Sequence, residues 1–143
     1  MATRNGNAIW RGDLQTGEGE VTVGNGVHTG PYSFKSRFED GSGTNPEELI
    51  AAAHAACYSM QLSAMLAEKG TPATSVDTDA VCQLRFIDGA PTITAINLTT
   101  VGVVEGLSED GFVAAAEEAK AACLVTRALA GVEEVNLKAR LKG

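Results

Sequence analysis

The sequence lacks both an excess of positive charge and a long, unbroken hydrophobic run. Its 143 residues carry 11 Lys and Arg against 18 Asp and Glu, and the net charge of −7 disfavours general binding to a phosphate backbone. Residues 1–7 contain no apolar segment of a signal peptide, and polar side chains interrupt the most apolar stretch, residues 49–66, which disfavours a membrane span. We therefore expect a soluble, cytoplasmic protein, with no nucleic acid and no membrane as a partner.

Common motifs for redox, zinc and nucleotide sites are also missing. The three cysteines, at positions 57, 82 and 123, form no CxxC motif and none of the close pairs that structural zinc sites use. The glycine-rich residues 41–43 match neither GxGxxG nor a P-loop. A chain of this length buries about 68–70% of its unfolded surface, so it can fold without disulfides or a structural metal. We expect no bound metal and no cofactor, which leaves the three thiols to be explained.

Runs rich in β-forming residues, separated by turn formers, predict six strands. Alternation of apolar and polar residues and the glycines between the runs support this assignment. The strands are predicted at residues 8–10, 20–23 and 32–34 in the first part of the chain, and at residues 76–87, 92–104 and 132–141 in the second. A loop at residues 88–91 joins two of them as a hairpin.

Two helical segments interrupt these strands. The first begins with either Thr44 or Asn45 as its cap, followed by a proline and two glutamates, and ends near Lys69. The second covers residues 108–131 and contains helically spaced apolar residues, with a break predicted near Cys123. The first helix is rich in alanine on all sides, so other backbones can approach it closely, and we expect it to be central and buried.

The predicted order of elements is βββ-α-ββ-α-β. This order predicts an α+β fold in which a mostly antiparallel sheet carries a long central helix and a second helix on one face. We expect one domain over residues 1–143.

Cysteine and histidine provide the candidate chemistry. His54 precedes Cys57 by one helical turn, and a Cys–His pair can generate a thiolate, although no third group that would orient the histidine is evident. Cys123 lies at the predicted helix break, where a helix dipole would favour a thiolate. Cys82 alternates with Leu84 in a predicted strand and is expected to pack. Buried cysteines commonly act as small hydrophobes, so a redox pair, packed thiols and a zinc site all remain open from these residues alone.

A longer pattern resembles a known family. Residues 37–39 (RFE) and 43–57 (GTNPEELIAAAHAAC) strongly resemble the family of osmotically inducible protein C and organic hydroperoxide resistance protein, the OsmC/Ohr peroxidases. The resemblance runs the full length and includes Trp10 and the second cysteine in residues 121–125 (AACLV). The RFE segment resembles the OsmC branch of this family rather than the Ohr branch.

The resemblance implies a thiol peroxidase that reduces organic hydroperoxides to alcohols. It implies that Cys57 is the peroxidatic cysteine, that Cys123 is the resolving one, that Arg37 stabilises the thiolate and the peroxide, and that Glu47 holds Arg37. The resulting disulfide would be reduced by an external dithiol, for which a lipoyl-type dithiol is the family expectation. This sequence departs from the family at Leu124, where proline is common.

Helix geometry adds a prediction about assembly. Glu47 and Cys57 are ten residues apart, which is about 15 Å along a straight helix, and they point about 80° apart around its axis. If both serve one site, Glu47 comes from a second subunit. We therefore predict an obligate homodimer with two composite sites, and the resemblance likewise implies intertwined dimers.

The substrate pocket and the alternatives complete these expectations. We expect Phe38, Tyr58, Met60 and Leu124 to line the pocket and to favour alkyl or lipid hydroperoxides over hydrogen peroxide. The alternatives are a dimeric small-molecule-binding protein in which both cysteines only pack, and a zinc protein.

Overall fold

Glycine-containing turns fold the beginning of the chain into a three-stranded antiparallel sheet. In the computed structural model, which describes residues 1–142, the strands are β1 (Gly6–Arg11), β2 (Glu18–Val23) and β3 (His28–Ser33). The turn between β2 and β3 contains glycines at positions 24 and 26 with φ of 63° and 88°, a conformation that favours glycine. The predicted meander is confirmed, although β3 begins before the predicted strand.

A short helix that the sequence pattern did not predict follows β3. Helix α1 (Phe34–Phe38) begins because the Ser33 hydroxyl accepts a hydrogen bond from the Ser36 N–H at 3.1 Å, while the Ser36 hydroxyl accepts one from the Ser33 N–H at 2.8 Å. The prediction that the third strand includes Phe34 was therefore wrong.

The long helix α2 (Pro46–Glu68) begins where the capping chemistry predicts. Of the two candidate caps, Asn45 is the one whose side chain accepts a hydrogen bond from the Glu48 N–H, at 2.8 Å. The same side chain donates to the carbonyl oxygen of Ser36 at 2.9 Å. Asn45 therefore ties the start of α2 to the short helix α1.

The rest of the chain forms a second three-stranded sheet with two further helices. Its elements are β4 (Ala73–Ile87), β5 (Ala90–Val104), α3 (Glu109–Ala122), α4 (Leu124–Ala128) and β6 (Glu134–Leu141). Strands β4 and β5 are antiparallel and are joined by a two-residue turn, with φ of 50° at Asp88 and 80° at Gly89, so the loop is shorter than predicted. Strand β6 pairs with β5 in parallel, because helices α3 and α4 cross back between them.

The core of this second part is built from one face of α2, from β5 and from α3. Tyr58, Leu62 and Leu66 repeat every four residues along α2 and are fully buried. The remaining buried hydrophobic members are Ile96, Leu98, Phe112, Ala115, Ala116, Ala119 and Cys123. Cys123 separates α3 from α4 with extended backbone angles (φ −57°, ψ 126°), which confirms the predicted break.

The chain forms two compact units, Met1–Leu49 and Ile50–Gly143. The α+β class and the order of the main elements agree with the sequence prediction, whereas the single domain over residues 1–143 stays a prediction. Helix α2 is long and apolar enough to cross a membrane by length and composition alone, a test that core helices of soluble proteins also pass.

Candidate active site

The two cysteines that the resemblance pairs lie side by side in the second unit. Cys57 is half-buried on α2, and Cys123 is fully buried at the junction of α3 and α4. Both belong to the same apolar cluster, both are free thiols, and the Cys57 side chain is one of the groups that lower the pKa of the Cys123 thiol. The structure therefore brings this predicted pair together in its reduced form.

Polar groups from the first turn of α4 surround the Cys123 sulfur. Burial by itself would raise the pKa of this thiol, but hydrogen bonds from the Thr126 N–H and hydroxyl, the Cys57 side chain and the Val125 N–H lower it below its ordinary value. A lower pKa gives a larger thiolate fraction at neutral pH, and the thiolate is the reactive form of cysteine. The break between α3 and α4 thus places Cys123 where its sulfur can react.

A buried histidine lies one helical turn before Cys57 on α2. His54 has no exposed surface, and its Nε2 atom lies 2.7 Å from Oγ1 of Thr126. Its other ring nitrogen, Nδ1, has no hydrogen-bond partner among the described residues. Burial lowers the pKa of His54, so the imidazole is neutral at pH 7. The sequence places His54 near Cys57 but does not reveal Thr126, which lies 72 residues further along the chain.

The two charged residues of the predicted site form an ion pair in the first unit. Arg37 on α1 donates from Nη2 to Oε1 of Glu47 at 2.7 Å and from Nε to both carboxylate oxygens at 3.2 Å. The Glu47 side chain is 9% exposed and that of Arg37 is 34% exposed, so the carboxylate is the more enclosed partner. This two-point contact fixes the plane of the guanidinium group.

An apolar cavity opens beside Arg37 in the same unit. Its volume is about 250 Å³, and the side chains that line it are mostly aromatic or aliphatic. They are Trp10, Leu14, Tyr32, Ser33, Phe34, Arg37, Phe38 and Pro46. The Arg37 guanidinium lies 5.1 Å from the centre of the Phe38 ring, and the rings of Trp10 and Tyr32 are 5.3 Å apart. A cation held at the edge of an apolar cavity suits a molecule with one polar end and one hydrocarbon end.

Of the four residues predicted to line the substrate pocket, only Phe38 borders this cavity. Tyr58 is fully buried in the core of the second unit, where its hydroxyl donates to the carbonyl oxygen of Ala116 at 3.2 Å. Met60 and Leu124 are 75% and 63% exposed. The cavity residues that sequence reasoning missed include aromatic side chains of β1, β3 and α1, in a chain that is only 5% aromatic.

The third cysteine belongs to a strand of the second unit. Cys82 is half-buried on β4 and packs against the core cluster. Within residues 1–142, no three His, Cys, Asp or Glu side chains are grouped so that they could hold a metal ion.

Known proteins resemble the chain along nearly its whole length. Residues 39–138 match the family model described as OsmC-like protein. The chain is 44% identical to Peroxiredoxin OsmC of Escherichia coli over 140 residues, which cover 97% of this chain and 96% of that protein. Among solved structures, the organic hydroperoxide resistance protein OhrB of Bacillus subtilis has a TM-score of 0.69 at 24% identity, with 96% and 98% of the two chains covered. An organic hydroperoxide resistance protein from Elizabethkingia anophelis has a TM-score of 0.77 at 22% identity, with 99% and 98% covered.

Proposed function

This chain belongs to the OsmC family, and we propose that it is a cysteine peroxidase that reduces organic hydroperoxides to alcohols through Cys57 and Cys123. Family membership and the identity with a peroxiredoxin support the peroxidase activity. The observation that carries the mechanism is that two free thiols, one on α2 and one at the α3–α4 break, lie in the same apolar cluster, where the Cys57 side chain helps to lower the pKa of Cys123. Free thiols need a reducing compartment, so the cytoplasm is the proposed location.

The first step is the attack of the Cys57 thiolate on the O–O bond of the peroxide. The sulfur takes the terminal oxygen and becomes a sulfenic acid, while the O–O bond breaks and the alkoxide leaves. The alkoxide takes up a proton from solvent and departs as the alcohol. Cys57 is suited to this role because it is the partly accessible member of the pair, whereas Cys123 is fully buried.

The second step joins the two cysteines. The Cys123 sulfur attacks the sulfur of the Cys57 sulfenic acid, the S–S bond forms, and the hydroxyl group leaves with the thiol proton as water. An external dithiol, of the lipoyl type by family expectation, then reduces this disulfide by thiol–disulfide exchange and is itself oxidised. The Cys57 side chain is one of the groups that lower the pKa of the Cys123 thiol, which supports this pairing.

Arg37 and Glu47 are proposed to act on the peroxide and the peroxidatic thiolate. Arg37 would favour the thiolate and stabilise the charge that develops on the leaving alkoxide, and Glu47 would hold the guanidinium in plane. The length of helix between Glu47 and Cys57 supports a composite site in which Arg37 and Glu47 come from the second subunit of a homodimer.

An exposed apolar face of α2 supports this assembly. Ala53, Ala56, Met60, Ala64 and Ala67 repeat at three- and four-residue intervals along the helix, and all five are exposed in the single chain. This face carries no charge, and its small side chains permit close packing against a second copy across a two-fold axis. Sedimentation of the purified protein tests the dimer: an Ala64→Glu variant should become a monomer and lose activity, and a wild-type monomer with full activity would contradict it.

The cavity beside Arg37 supports the choice of organic hydroperoxides. Its aromatic and aliphatic lining would bind a hydrocarbon group, while the guanidinium faces the polar peroxide end. Hydrogen peroxide has no group to occupy this lining. We therefore expect kcat/KM to be larger for cumene hydroperoxide than for hydrogen peroxide, and the opposite order would contradict the substrate class.

Thiol counting tests the central proposal. One equivalent of cumene hydroperoxide should remove two thiols from the wild type and form a disulfide between Cys57 and Cys123. Cys57→Ser should abolish turnover, Cys123→Ser should retain one stoichiometric oxidation of Cys57, and the matched variant Cys82→Ser should behave as wild type. Loss of no thiols would support a binding protein, and a disulfide between Cys57 and Cys82 would show that the resolving partner is wrong.

A further inference from the structure

His54 is a buried titratable group that the proposed mechanism does not use. It has no exposed surface, and it lies one helical turn before Cys57 on α2. The only hydrogen bond of its imidazole among the described residues joins Nε2 to the hydroxyl of Thr126, at 2.7 Å. Burying an imidazole and leaving Nδ1 without a partner costs stability, so a histidine here needs an explanation beyond packing.

The hydroxyl of Thr126 connects His54 to Cys123. It lies 2.7 Å from His54 Nε2, and Thr126 is in the first turn of α4, whose N-cap is Cys123, so the same hydroxyl is among the groups that lower the pKa of the Cys123 thiol. A hydroxyl has one proton to donate, so it donates to one of these partners and accepts from the other, and the tautomer of His54 decides which.

The unpartnered nitrogen indicates the tautomer. If the ring proton were on Nδ1, a buried N–H donor would be left without an acceptor, and such orphaned donors are rarer than under-satisfied acceptors. With the proton on Nε2, His54 donates to Thr126, and only a lone pair on Nδ1 is unused. The Thr126 proton is then free to point at the Cys123 sulfur.

We propose that His54 is a positioning residue for Cys123: by donating from Nε2 to the Thr126 hydroxyl, it orients the Thr126 proton toward the Cys123 sulfur and stabilises its thiolate. This inference rests on the proposed function in one respect: it assigns the stabilised Cys123 sulfur to the step that forms the disulfide. In that step the Cys123 thiolate attacks the sulfur of the Cys57 sulfenic acid, so that the S–S bond forms and the S–O bond breaks. The hydroxide that leaves takes up a proton, equivalent to the one that Cys123 released earlier, and departs as water. His54 remains neutral throughout and neither gives nor takes a proton.

Two matched pairs of variants separate positioning from packing and from proton transfer. Thr126→Val removes the hydroxyl with little change of shape, whereas Thr126→Ser retains it. His54→Leu removes the donor, whereas His54→Gln keeps an N–H near the position of Nε2 but cannot act as a base. Because a hydrogen bond to a charged group is at stake, Thr126→Val and His54→Leu should slow disulfide formation about 10- to 100-fold. Thr126→Ser and His54→Gln should stay within about three-fold of wild type.

The two oxidation steps are measured separately after rapid mixing with one equivalent of cumene hydroperoxide. Trapping of the sulfenic acid reports the first step, and quenched samples report the disulfide. The proposal requires the first step to keep its rate in all four variants while the second slows in two of them. A Thr126→Val variant that forms the disulfide as fast as wild type would overturn it, as would a His54→Gln variant as slow as His54→Leu.

A second measurement needs no peroxide and so distinguishes this inference from the proposed function. In a background with Cys57→Ser and Cys82→Ser, Cys123 is the only thiol, and its thiolate absorbs in the ultraviolet. Adding Thr126→Val should lower the thiolate fraction at neutral pH several-fold, and adding Thr126→Ser should not. Equal fractions overturn the positioning role. A wild type that forms no disulfide contradicts the proposed function instead, while the thiolate measurement still decides the role of His54 and Thr126.

Discussion

The two compact units of this chain differ in where their candidate functional side chains lie. In the first unit, an ion pair and an aromatic cavity lie near the surface of a small three-stranded sheet. In the second, two thiols, an imidazole and a threonine hydroxyl lie against a packed apolar core. On the proposed mechanism, the first unit would supply binding and charge, and the second would supply the reacting sulfurs. Substitutions in the first should therefore change kinetics, and substitutions in the second should also change stability.

Arg37→Lys is the sharpest test of the first unit. Lysine keeps the positive charge but loses the planar two-point contact with Glu47, so kcat/KM for cumene hydroperoxide should fall about 100-fold. Steady-state kinetics measures this, and Glu47→Gln, which weakens the contact without removing the guanidinium, should cause a smaller decrease. Because the Arg37 side chain is 34% exposed, urea unfolding should be nearly unchanged. An Arg37→Lys variant with wild-type kinetics would show that the first unit contributes no guanidinium-specific contact to the reaction.

Gly102→Ala tests the packing of the second unit. A methyl group at this position would overlap the Phe112 ring, which is fully buried. Overpacking of this kind typically lowers the free energy of unfolding by about 1–3 kcal/mol. Denaturant unfolding measures the change. The matched control is Gly30→Ala in the first unit, where the atom nearest to an added methyl group is a Thr44 methyl carbon at 3.7 Å. Equal losses of stability in the two variants would contradict the contrast between the units.

The helix boundaries that matter for the site were predictable because local chemistry determines them. The Asn45 cap and the following proline start α2 where the sequence indicates. The break at Cys123 was also predicted, and it occurs with Leu124 in place of the proline that is common in the family. Proline is therefore not required for the chain to turn there.

Short elements and long-range pairs were not predictable in the same way. Helix α1 is five residues long, too short for periodicity, and its capping box uses serine at both positions. The parallel pairing of β6 depends on where α3 and α4 return the chain. The contact between His54 and Thr126 spans 72 residues, so no local pattern could indicate it.

Leu14→Ala tests whether the cavity of the first unit binds hydrocarbon. Leu14 lines the cavity and is 60% exposed, so truncation removes apolar contact without disturbing a core. KM for cumene hydroperoxide should rise about three- to ten-fold, since each buried methylene contributes about 0.8 kcal/mol when fully desolvated. KM for hydrogen peroxide should stay the same. Val27→Ala, at a turn residue that is 90% exposed and outside the cavity lining, is the control, and an equal rise in both variants would contradict a binding role.

The smallest effect concerns the imidazole buried in the second unit. Burial lowers the pKa of His54, so the native state binds its proton less readily than the unfolded chain, whose histidines titrate near about 6.5. The contribution of His54 to the free energy of unfolding should therefore be constant above that pH and fall as the pH decreases below it, by at most about 1.4 kcal/mol per pH unit. Urea unfolding at a series of pH values measures this slope, and His54→Gln should reduce it. His28→Gln removes the other histidine, from an exposed position in the first unit, and is the matched control. If the two variants flattened the slope equally, burial in the second unit would not be the cause, and the contrast between the units would not extend to this imidazole.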